Sequence, residues 1–369
     1  MEPNLKILMI SSDRGVLSPG SAVSERVKEY GKLVEELHIV LLCDRSHTSS
    51  LKIENGELKI AEGVYVYPTN SATSLLRPLD AARLGKKLVL EKNFIRGKSL
   101  ITTQDPFECG WAGLKVKKKW RLPLEVQIHT DPDSPYFTGF QNRVRKFFSK
   151  KVLKNADSIR TVKELPIYVE KEKIINAPIT FDVHARYPWH FVLLTVSRLA
   201  PEKNLGLALE ALSLVRDKFP DTGLIIVGSG PEERNLRAKV KSLKLEGGVE
   251  FAGWQSELGS FYKTANVFIQ TSAFEGYGLS LIEAGLSGLP VVTTPVGIAT
   301  ELQDGKDLYL CATKEQFAER IIELIESNGR RENLKFNLKN TLEARLLSKA
   351  DYMAQIKANW EKTSMLLTK

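Results

Sequence analysis

Two glutamates on either side of a glycine-rich loop carry the clearest chemical signal in the sequence. Glu275 and Glu283 enclose the segment Gly276-Tyr277-Gly278-Leu279-Ser280. The glycines let the backbone approach a ligand closely, and a helix that starts here offers free N–H groups to an anion. An ionised carboxylate only accepts hydrogen bonds, which suits a ligand rich in hydroxyl groups. Phosphate and sugar chemistry at one place together indicate a sugar nucleotide.

Helix capping is the alternative role for this segment. Ser272-x-x-Glu275 and Ser280-x-x-Glu283 both match the capping-box pattern. The preceding run, residues 266–270, has the apolar character of a buried strand. The glutamates would then follow the carboxyl end of a strand, which is where open α/β sheets bind their ligands.

Arg198 and Lys203 are candidate partners for a diphosphate. Both lie in the loop that follows the predicted strand 191–196. At the carboxyl end of that strand they would face the same site, Arg as a planar fork and Lys as a point charge. Solvated surface charges are the alternative, because isolated charged side chains usually face water.

The turn Gly228-Ser229-Gly230 follows a predicted strand at 223–228 and precedes a predicted helix. It matches part of the dinucleotide-binding fingerprint, so an NAD-dependent oxidoreductase is an alternative interpretation of the sequence. However, Glu233 occupies the third glycine position, and this is not the first strand–helix turn of the chain. A tight turn close to the nucleotide is the favoured interpretation.

Apolar strand-like runs alternate with amphipathic helix-like runs along the chain, which predicts parallel α/β sheets. The length of 369 residues is typical of about two domains. Residues 176–189 interrupt this alternation and are predicted to form an extended linker. A new alternation of strand-like and helix-like runs starts at residue 191. The tail 343–366 is predicted to be helical, with an apolar stripe along one side. We therefore expect two Rossmann-like halves, with the active site in the crevice between them.

The net charge of +9 lies entirely in residues 1–180, which contain 30 Lys and Arg against 21 Asp and Glu. Basic runs at 115–121 and 143–151 include aromatic residues, a combination that suits an anionic membrane surface. A solvated helix face is the alternative. No recognised nucleic-acid module is present, so no nucleic-acid partner is expected.

The three cysteines, Cys43, Cys109 and Cys311, are scattered without CxxC spacing. This argues against a disulfide framework or a zinc site and favours a reducing compartment. The first apolar run is too short for a signal peptide or a membrane span. These features predict a cytoplasmic protein, with peripheral association at the inner face of the membrane suggested by the basic half.

The motifs around Arg198 and Lys203, the segment Gly228-x-Gly230-Pro231-Glu232, and the pair of glutamates resemble the retaining GT-B glycosyltransferases of family 4, the group 1 glycosyltransferases. The resemblance is strong over 191–302 and looser before 180. It implies an N-terminal Rossmann-like acceptor domain at 1–180 and a donor domain at 181–345. These would face each other across a cleft, with a C-terminal helix in 346–369 that packs back on the first domain.

The same resemblance implies roles for individual residues. Arg198 and Lys203 would bind the donor diphosphate, Glu275 the hydroxyls of the donor sugar, and Glu283 the ribose. Arg198, Lys203, Glu275 and His129 are the candidate catalytic residues. Further donor-binding positions are Gly20, Gly228, Gly230, Gly253, Trp254, Gly276, Tyr277, Gly278, Leu279 and Ser280.

His129 ends the predicted strand 124–129, where the family often has a histidine near the transferred sugar. A purely structural histidine is the alternative. Asp131 and Asp133 follow and are expected to face the acceptor. They also spell Asp-x-Asp, a motif that holds Mg²⁺ or Mn²⁺ in the other glycosyltransferase architecture. Because the predicted cations already supply that charge, no metal is expected.

The implied activity is transfer of a hexose, mannose or glucose, from a GDP-, UDP- or ADP-sugar to a hydroxyl of a glycan or lipid-linked acceptor, with retention of configuration and no cofactor. A soluble sugar or sugar-phosphate synthase of the same fold is an alternative. An NAD-dependent oxidoreductase and a non-catalytic sugar-nucleotide-binding protein are alternatives of other classes.

Overall fold

The chain divides into two compact units in a computed structural model that describes residues 5–48, 56–129, 133, 137, 139–162 and 164–366. The first unit comprises Met1–Ile167 together with Ser348–Lys369, and the second comprises Tyr168–Leu347. Each unit is built on one sheet of mainly parallel strands with helices around it. The expected α/β class is confirmed.

The strands of the first sheet are β1 (Lys6–Ser11), β2 (Glu36–Leu41), β3 (Leu58–Ala61), β4 (Val64–Pro68), β5 (Ser99–Thr103), β6 (Leu124–Ile128) and β7 (Ser158–Thr161). Their order is β3-β4-β2-β1-β5-β6-β7, and β3 alone runs antiparallel, against β4. The strands of the second sheet are β8 (Phe191–Val196), β9 (Thr222–Val227), β10 (Val249–Gly253), β11 (Val267–Gln270), β12 (Val291–Thr293) and β13 (Tyr309–Leu310). Their order is β10-β9-β8-β11-β12-β13, the doubly wound arrangement of Rossmann folds.

The helices connect these strands and cover the faces of the sheets. They are α1 (Ala22–Gly31), α2 (Arg77–Glu91), α3 (Glu108–Trp120), α4 (Phe140–Lys154), α5 (Lys171–Ile175), α6 (Val183–Arg186), α7 (Leu205–Lys218), α8 (Glu233–Ser242), α9 (Gly259–Thr264), α10 (Leu279–Leu286), α11 (Lys314–Glu326), α12 (Asn328–Arg345) and α13 (Lys349–Ser364). Short 3₁₀ helices lie at Arg14–Leu17, Arg45–His47, Pro201–Lys203 and Gly297–Glu301.

The sheet of the second unit is buried on both faces, which explains why its strands read as continuous apolar runs. On one face, Leu209 of α7 and Ile321 of α11 belong to a single apolar cluster. On the other face, Leu281 of α10 and Leu338 of α12 belong to a second cluster. This two-sided packing fixes the positions of the loops at the strand ends.

Two details differ from the sequence-based expectations. The segment interpreted as an extended linker forms part of the second unit, where Val183 and Trp189 are buried in its core. The tail is two helices, because α12 ends at Arg345 and α13 begins after Ser348. The Ser348 hydroxyl caps α13 by accepting from the Asp351 N–H. Ser348 therefore marks a helix boundary that the apolar stripe alone hides.

In the part of the chain that the structure describes, no helix combines the length and the apolar character needed to cross a membrane.

Candidate functional site

The order of the second sheet reverses between β8 and β11, which are neighbours in space but separated by more than 70 residues in sequence. The chain leaves β8 toward one side of this junction and leaves β11 toward the other. Open α/β sheets bind ligands in the crevice formed at such a switch point. The loops after these two strands contain Lys203 and Glu275.

Lys203 and Glu275 contact each other directly. The Lys203 ammonium donates to Oε1 of Glu275 at 2.7 Å, and the Ser272 hydroxyl donates to the same oxygen at 2.7 Å. The two charged side chains are only 19 % and 12 % exposed. A charge-assisted hydrogen bond in a partly buried setting holds both groups in one geometry. Ser272 is a supporting residue that the sequence reading assigned only to a capping pattern.

The backbone also ties the loops together. The Ala273 N–H donates to the carbonyl of Glu202 at 2.8 Å, which joins the β11 loop to the β8 loop. On the other side, the Ile298 N–H donates to the carbonyl of Tyr277 at 2.8 Å. A Cβ on Gly297 would lie 2.5 Å from that carbonyl oxygen, so only glycine fits at this contact. The loop with Glu275 is therefore held from both sides.

Helix α10 begins directly after this loop. Its N-cap is Gly278, which has φ +97° and forms no side-chain capping bond. The capping box expected as the alternative role of Ser280 and Glu283 is therefore not formed. The helix start has N–H groups without a side-chain cap, beside the solvent-exposed Leu279. Such an end is suited to an anion.

Glu283 lies in the first turns of α10 and is largely buried. The Tyr262 hydroxyl of α9 donates to its Oε2 at 2.9 Å. Burial raises the pKa of Glu283, while the hydrogen bond from Tyr262 opposes that rise. Burial likewise raises the pKa of Tyr262, which keeps its proton for this bond. Tyr262 is a second supporting residue, and no sequence motif indicated it.

The glycine turn after β9 packs against the β8 loop. A Cβ on Gly228 would lie 1.9 Å from the carbonyl oxygen of Ser197, and one on Gly230 would lie 2.3 Å from that of Leu199. Gly228 also has φ +131°, a conformation that side chains disfavour. The two glycines thus allow the turn after β9 to pack closely against the backbone of the loop that contains Arg198 and Lys203.

The remaining predicted donor residues of this unit lie nearer its surface. Arg198 is exposed and pairs with Glu202 at 2.5 Å. Gly253 ends β10 with φ +67°, and its carbonyl accepts from the Gly228 N–H at 2.8 Å. Trp254, the next residue, is exposed. Burial raises the pKa of Tyr277 to about 12, so its phenol is neutral.

In the first unit, Gly20 is exposed just before α1 and has φ +77°. His129 follows β6, and its Nε2 lies 3.2 Å from Oε1 of Gln127. The pKa of His129 is lowered to about 4. Packing around the ring is the largest cause, and the positive charges of Arg160 and Arg26 add smaller contributions. The side chain nevertheless keeps appreciable solvent exposure, which screens part of this effect. The imidazole is neutral at physiological pH.

Asp131 lies outside the described residues. Asp133 is exposed and pairs with Lys146 at 2.9 Å, which lowers the pKa of its carboxyl. Among the residues that the structure describes, no group of three or more His, Cys, Asp or Glu is placed to hold a metal ion.

Comparison with known proteins finds similarity to one family over the second unit. Residues 178–341 match the family model described as glycosyl transferases group 1. A peptide N-acetylglucosaminyltransferase GtfA subunit from Streptococcus pneumoniae is 31 % identical over 42 % of this chain, and the match spans only 34 % of that protein. An alpha-monoglucosyldiacylglycerol synthase from Acholeplasma laidlawii is 28 % identical over 74 % of this chain and 77 % of its own length.

One solved structure shares the fold over nearly the whole of this chain. The crystal structure of Anabaena HepE in complex with UDP and glucose has a TM-score of 0.72 and 18 % identity. The match covers 97 % of this chain and 100 % of that one. The expected GT-B fold is confirmed. Lys203, Glu275 and Glu283 all lie within residues 178–341, the segment that matches the family model of the group 1 glycosyltransferases.

Proposed function

We propose that the protein is a glycosyltransferase that moves a hexose from a nucleotide diphosphate sugar to an acceptor hydroxyl with retention of anomeric configuration. The observation that carries the proposal is the contact of Lys203 with Glu275 at the switch point of the second sheet, inside the matched domain. This contact places the Lys203 ammonium, which can bind a phosphate, beside the Glu275 carboxylate, which can accept hydrogen bonds from sugar hydroxyls. Neither group alone would distinguish a sugar nucleotide from a simple anion or a simple sugar.

The leaving diphosphate gains charge as the bond to the sugar breaks. An ammonium group has three N–H donors, so Lys203 can bind Glu275 and a phosphate oxygen at the same time. The start of α10 contributes backbone N–H groups, and Arg198 contributes a second cation. The Lys203 ammonium and the backbone N–H groups are held in place before the reaction begins, which stabilises the transition state without reorganisation. In this mechanism they perform the role that a divalent metal ion has in other transferases.

Retention requires that the acceptor reaches the same face of the sugar that the diphosphate leaves, or that a covalent intermediate forms first. Among the predicted site residues that the structure describes, none has the position of a nucleophile activated by an adjacent base. We therefore favour front-face transfer, in which the departing phosphate takes the proton of the acceptor hydroxyl. His129 is proposed to orient the donor sugar, since its imidazole is neutral and does not act as a charged acid at physiological pH.

A UDP-sugar is the proposed donor and glucose the proposed hexose, ahead of mannose. Relatives and solved structures named for UDP and for glucosyl or N-acetylglucosaminyl transfer support this choice. A lipid-linked or glycan hydroxyl is the proposed acceptor, with Asp131 and Asp133 assigned to its side of the site. The name of the Acholeplasma relative supports a lipid acceptor.

An NAD-dependent oxidoreductase is less consistent with this geometry. In dinucleotide-binding folds the glycine fingerprint occupies the first strand–helix turn of the sheet. Here the first turn of the second sheet contains Arg198 and Lys203, whereas the glycines follow β9. A nicotinamide donor would therefore lack its usual phosphate cradle.

The test is a transfer assay with UDP-glucose and a panel of diacylglycerol, lipid-linked and oligosaccharide acceptors. We expect acceptor-dependent release of UDP and a product whose anomeric proton has the α coupling of the donor. A β-linked product would refute the front-face mechanism. Reduction of NAD with no use of any sugar nucleotide would refute the proposed function as a whole.

A further inference from the structure

Helix α4 presents apolar side chains to solvent. Phe140 is 81 % exposed and Phe147 is 70 % exposed, and Val144 lies between them at helical spacing. In the described part of this helix only Ser149 and Val152 are buried. Helices of globular proteins usually turn their apolar stripe to the core. The stripe on α4 is turned the opposite way, toward solvent.

A groove of about 560 Å³ lies between α2 and α3 of the same unit. Leu79 and Leu90 of α2 and Trp111 and Trp120 of α3 contribute its apolar walls. Trp111 and Lys115 also line a smaller groove between α3 and α4, where Phe148 lies. The three helices therefore share one continuous surface, which we call the α2–α4 face.

The α2–α4 face is strongly cationic. Its three helices contain fourteen Lys and Arg against three Asp and Glu, so their net charge exceeds that of the whole chain. Within the described residues, no carboxylate lies within 4.0 Å of eight of these cations: Lys86, Lys115, Lys118, Lys119, Arg143, Lys150, Lys151 and Lys154. Lys115 and Lys119 instead lie over the rings of Trp111 and Trp120, at 5.0 and 5.3 Å from the ring centroids.

We propose that the α2–α4 face docks on an anionic lipid bilayer, with Phe140 and Phe147 inserted at the level of the headgroups and the flanking cations on lipid phosphates. The inference goes beyond the proposed transfer activity and does not depend on it. Positive charge attracts an anionic leaflet within about a Debye length of its surface. Transfer of the exposed Phe and Leu side chains and the half-buried Trp rings from water to the interface lowers their free energy.

The apolar stripe decides between a bilayer and a soluble polyanion such as a nucleic acid or an acidic glycan. Cations alone would suit either partner. A polyanion offers phosphate, sulfate or carboxylate groups but no apolar phase for Leu79, Leu90, Phe140 and Phe147. Tryptophans beside lysine stems are typical of membrane–water interfaces.

The experiment is co-sedimentation of the full chain with vesicles of phosphatidylcholine, alone or with about one third phosphatidylglycerol, at low salt. Phe147→Ser removes an inserted ring, and Phe336→Ser on α12 is its control, since Phe336 is 67 % exposed in the second unit. Arg143→Gln with Lys150→Gln removes two charges seven residues apart on α4. Arg234→Gln with Lys241→Gln removes two exposed charges at the same spacing on α8.

We expect binding to the anionic vesicles that weakens as salt is raised. Phe147→Ser should lower the partition coefficient about tenfold, and the α4 double variant should lower it about thirtyfold. The two control variants should bind as the wild type does. Absence of binding at low salt would overturn the proposal, and so would equal losses in test and control variants. Capture by a soluble polyanion with no vesicle binding would also overturn it. Because a UDP-glucose thermal shift is measured without vesicles, it separates this failure from failure of the proposed activity.

Discussion

At the scale of single residues, the geometry of Glu275 shows how one carboxylate can serve two partners. Lys203 and Ser272 both donate to its Oε1. Oε2 is therefore the oxygen that we expect to accept from hydroxyls of the donor sugar. The Lys203 ammonium is fixed by the same bond and can still turn other N–H groups toward a phosphate.

Glu275→Gln tests this assignment. The amide keeps the shape of the side chain but removes the charge that holds Lys203 and binds hydroxyl groups. We expect kcat to fall by about 10²–10³, as when one fixed transition-state contact is lost, with donor Kd changed less than about threefold. Steady-state kinetics and calorimetry measure the two effects separately. Glu246→Gln, on an exposed turn of the same unit, is the control, and unchanged kcat in Glu275→Gln would remove Glu275 from the site.

The pH dependence of nucleotide affinity tests the role of Glu283. Its ionised form is the better acceptor for ribose hydroxyls, and burial raises its pKa. Affinity for UDP should therefore decline as the pH falls through that raised pKa, above the range of an ordinary carboxyl. Tyr262→Phe removes a hydrogen bond that favours the ionised form. In calorimetric titrations, the affinity of Tyr262→Phe for UDP should decline at a higher pH than that of the wild type. A decline at a lower pH than in the wild type would contradict the assignment.

Residue types and spacing were enough to propose which charged groups belong to the site. They were not enough to predict which of them touch, because the contact of Lys203 with Glu275 depends on β8 lying next to β11. Tyr262 could not be predicted at all. It lies 21 residues before Glu283 on a short helix, and nothing in its local sequence distinguishes it from a core tyrosine.

At the scale of elements, loops are positioned by glycines that permit close backbone contact. The turn after β9 lies against the β8 loop because Gly228 and Gly230 have no side chain. This packing places the first strand–helix loop of the sheet, and with it Arg198 and Lys203. The glycine motif that resembles a dinucleotide fingerprint is therefore an architectural support for the neighbouring loop.

Gly228→Ala should destabilise the second unit. Its Cβ would meet the Ser197 carbonyl at 1.9 Å, and its φ of +131° strains any side chain. We expect the free energy of unfolding in urea to fall by about 2–4 kcal/mol. Gly247→Ala is the matched control, because a Cβ there has no atom within 4 Å. Equal stability of the two variants would contradict the packing argument.

The buried strands of the second sheet were predictable because parallel strands covered on both faces form continuous apolar runs. The hairpin of β3 and β4 was not recognised, since the edge strand β3 has only four residues and includes the charged Lys59. The stop between α12 and α13 was also missed. Ser348 is only a local signal for the start of a helix. The longer apolar stripe around it predicts a helix that continues through this position.

At the scale of the whole molecule, the first unit contains both ends of the chain. Helix α13 returns to it, and its Trp360 is fully buried with an edge-on contact to Tyr30 at 5.5 Å between ring centroids. The hydroxyls of Tyr30 and Tyr352 lie 3.1 Å apart, and the Asn359 amide donates to the buried Glu125. The last helix thus completes a core that begins with the first strands.

Trp360→Ala should therefore weaken the first unit selectively. Removal of a fully buried Trp costs about 3–5 kcal/mol. We expect faster hydrogen exchange in β5 and β6 and little change in β8 and β9. Trp254→Ala, at an exposed position, should leave both sets of amides unchanged. Equal acceleration in the two sheets would show that the units do not unfold separately.

The sequence pattern predicted two Rossmann-like halves, whereas the return of the tail to the first domain came from the family resemblance. Local periodicity identifies a helix but does not state its packing partner, which is separated from it here by more than 300 residues. The charge asymmetry between the halves was visible from composition. Its concentration on one face of α2, α3 and α4 required the fold.

The central claim, a diphosphate-sugar site at the switch point of the second sheet, is tested most directly by thermal shift with UDP-glucose, UDP, UMP, GDP-mannose, ADP-glucose and NAD. A ligand that binds the native state raises the unfolding temperature. We expect UDP-glucose and UDP to raise it, UMP to raise it far less because it lacks the diphosphate, and Lys203→Met to abolish the difference. A shift with NAD and none with any sugar nucleotide would contradict the account.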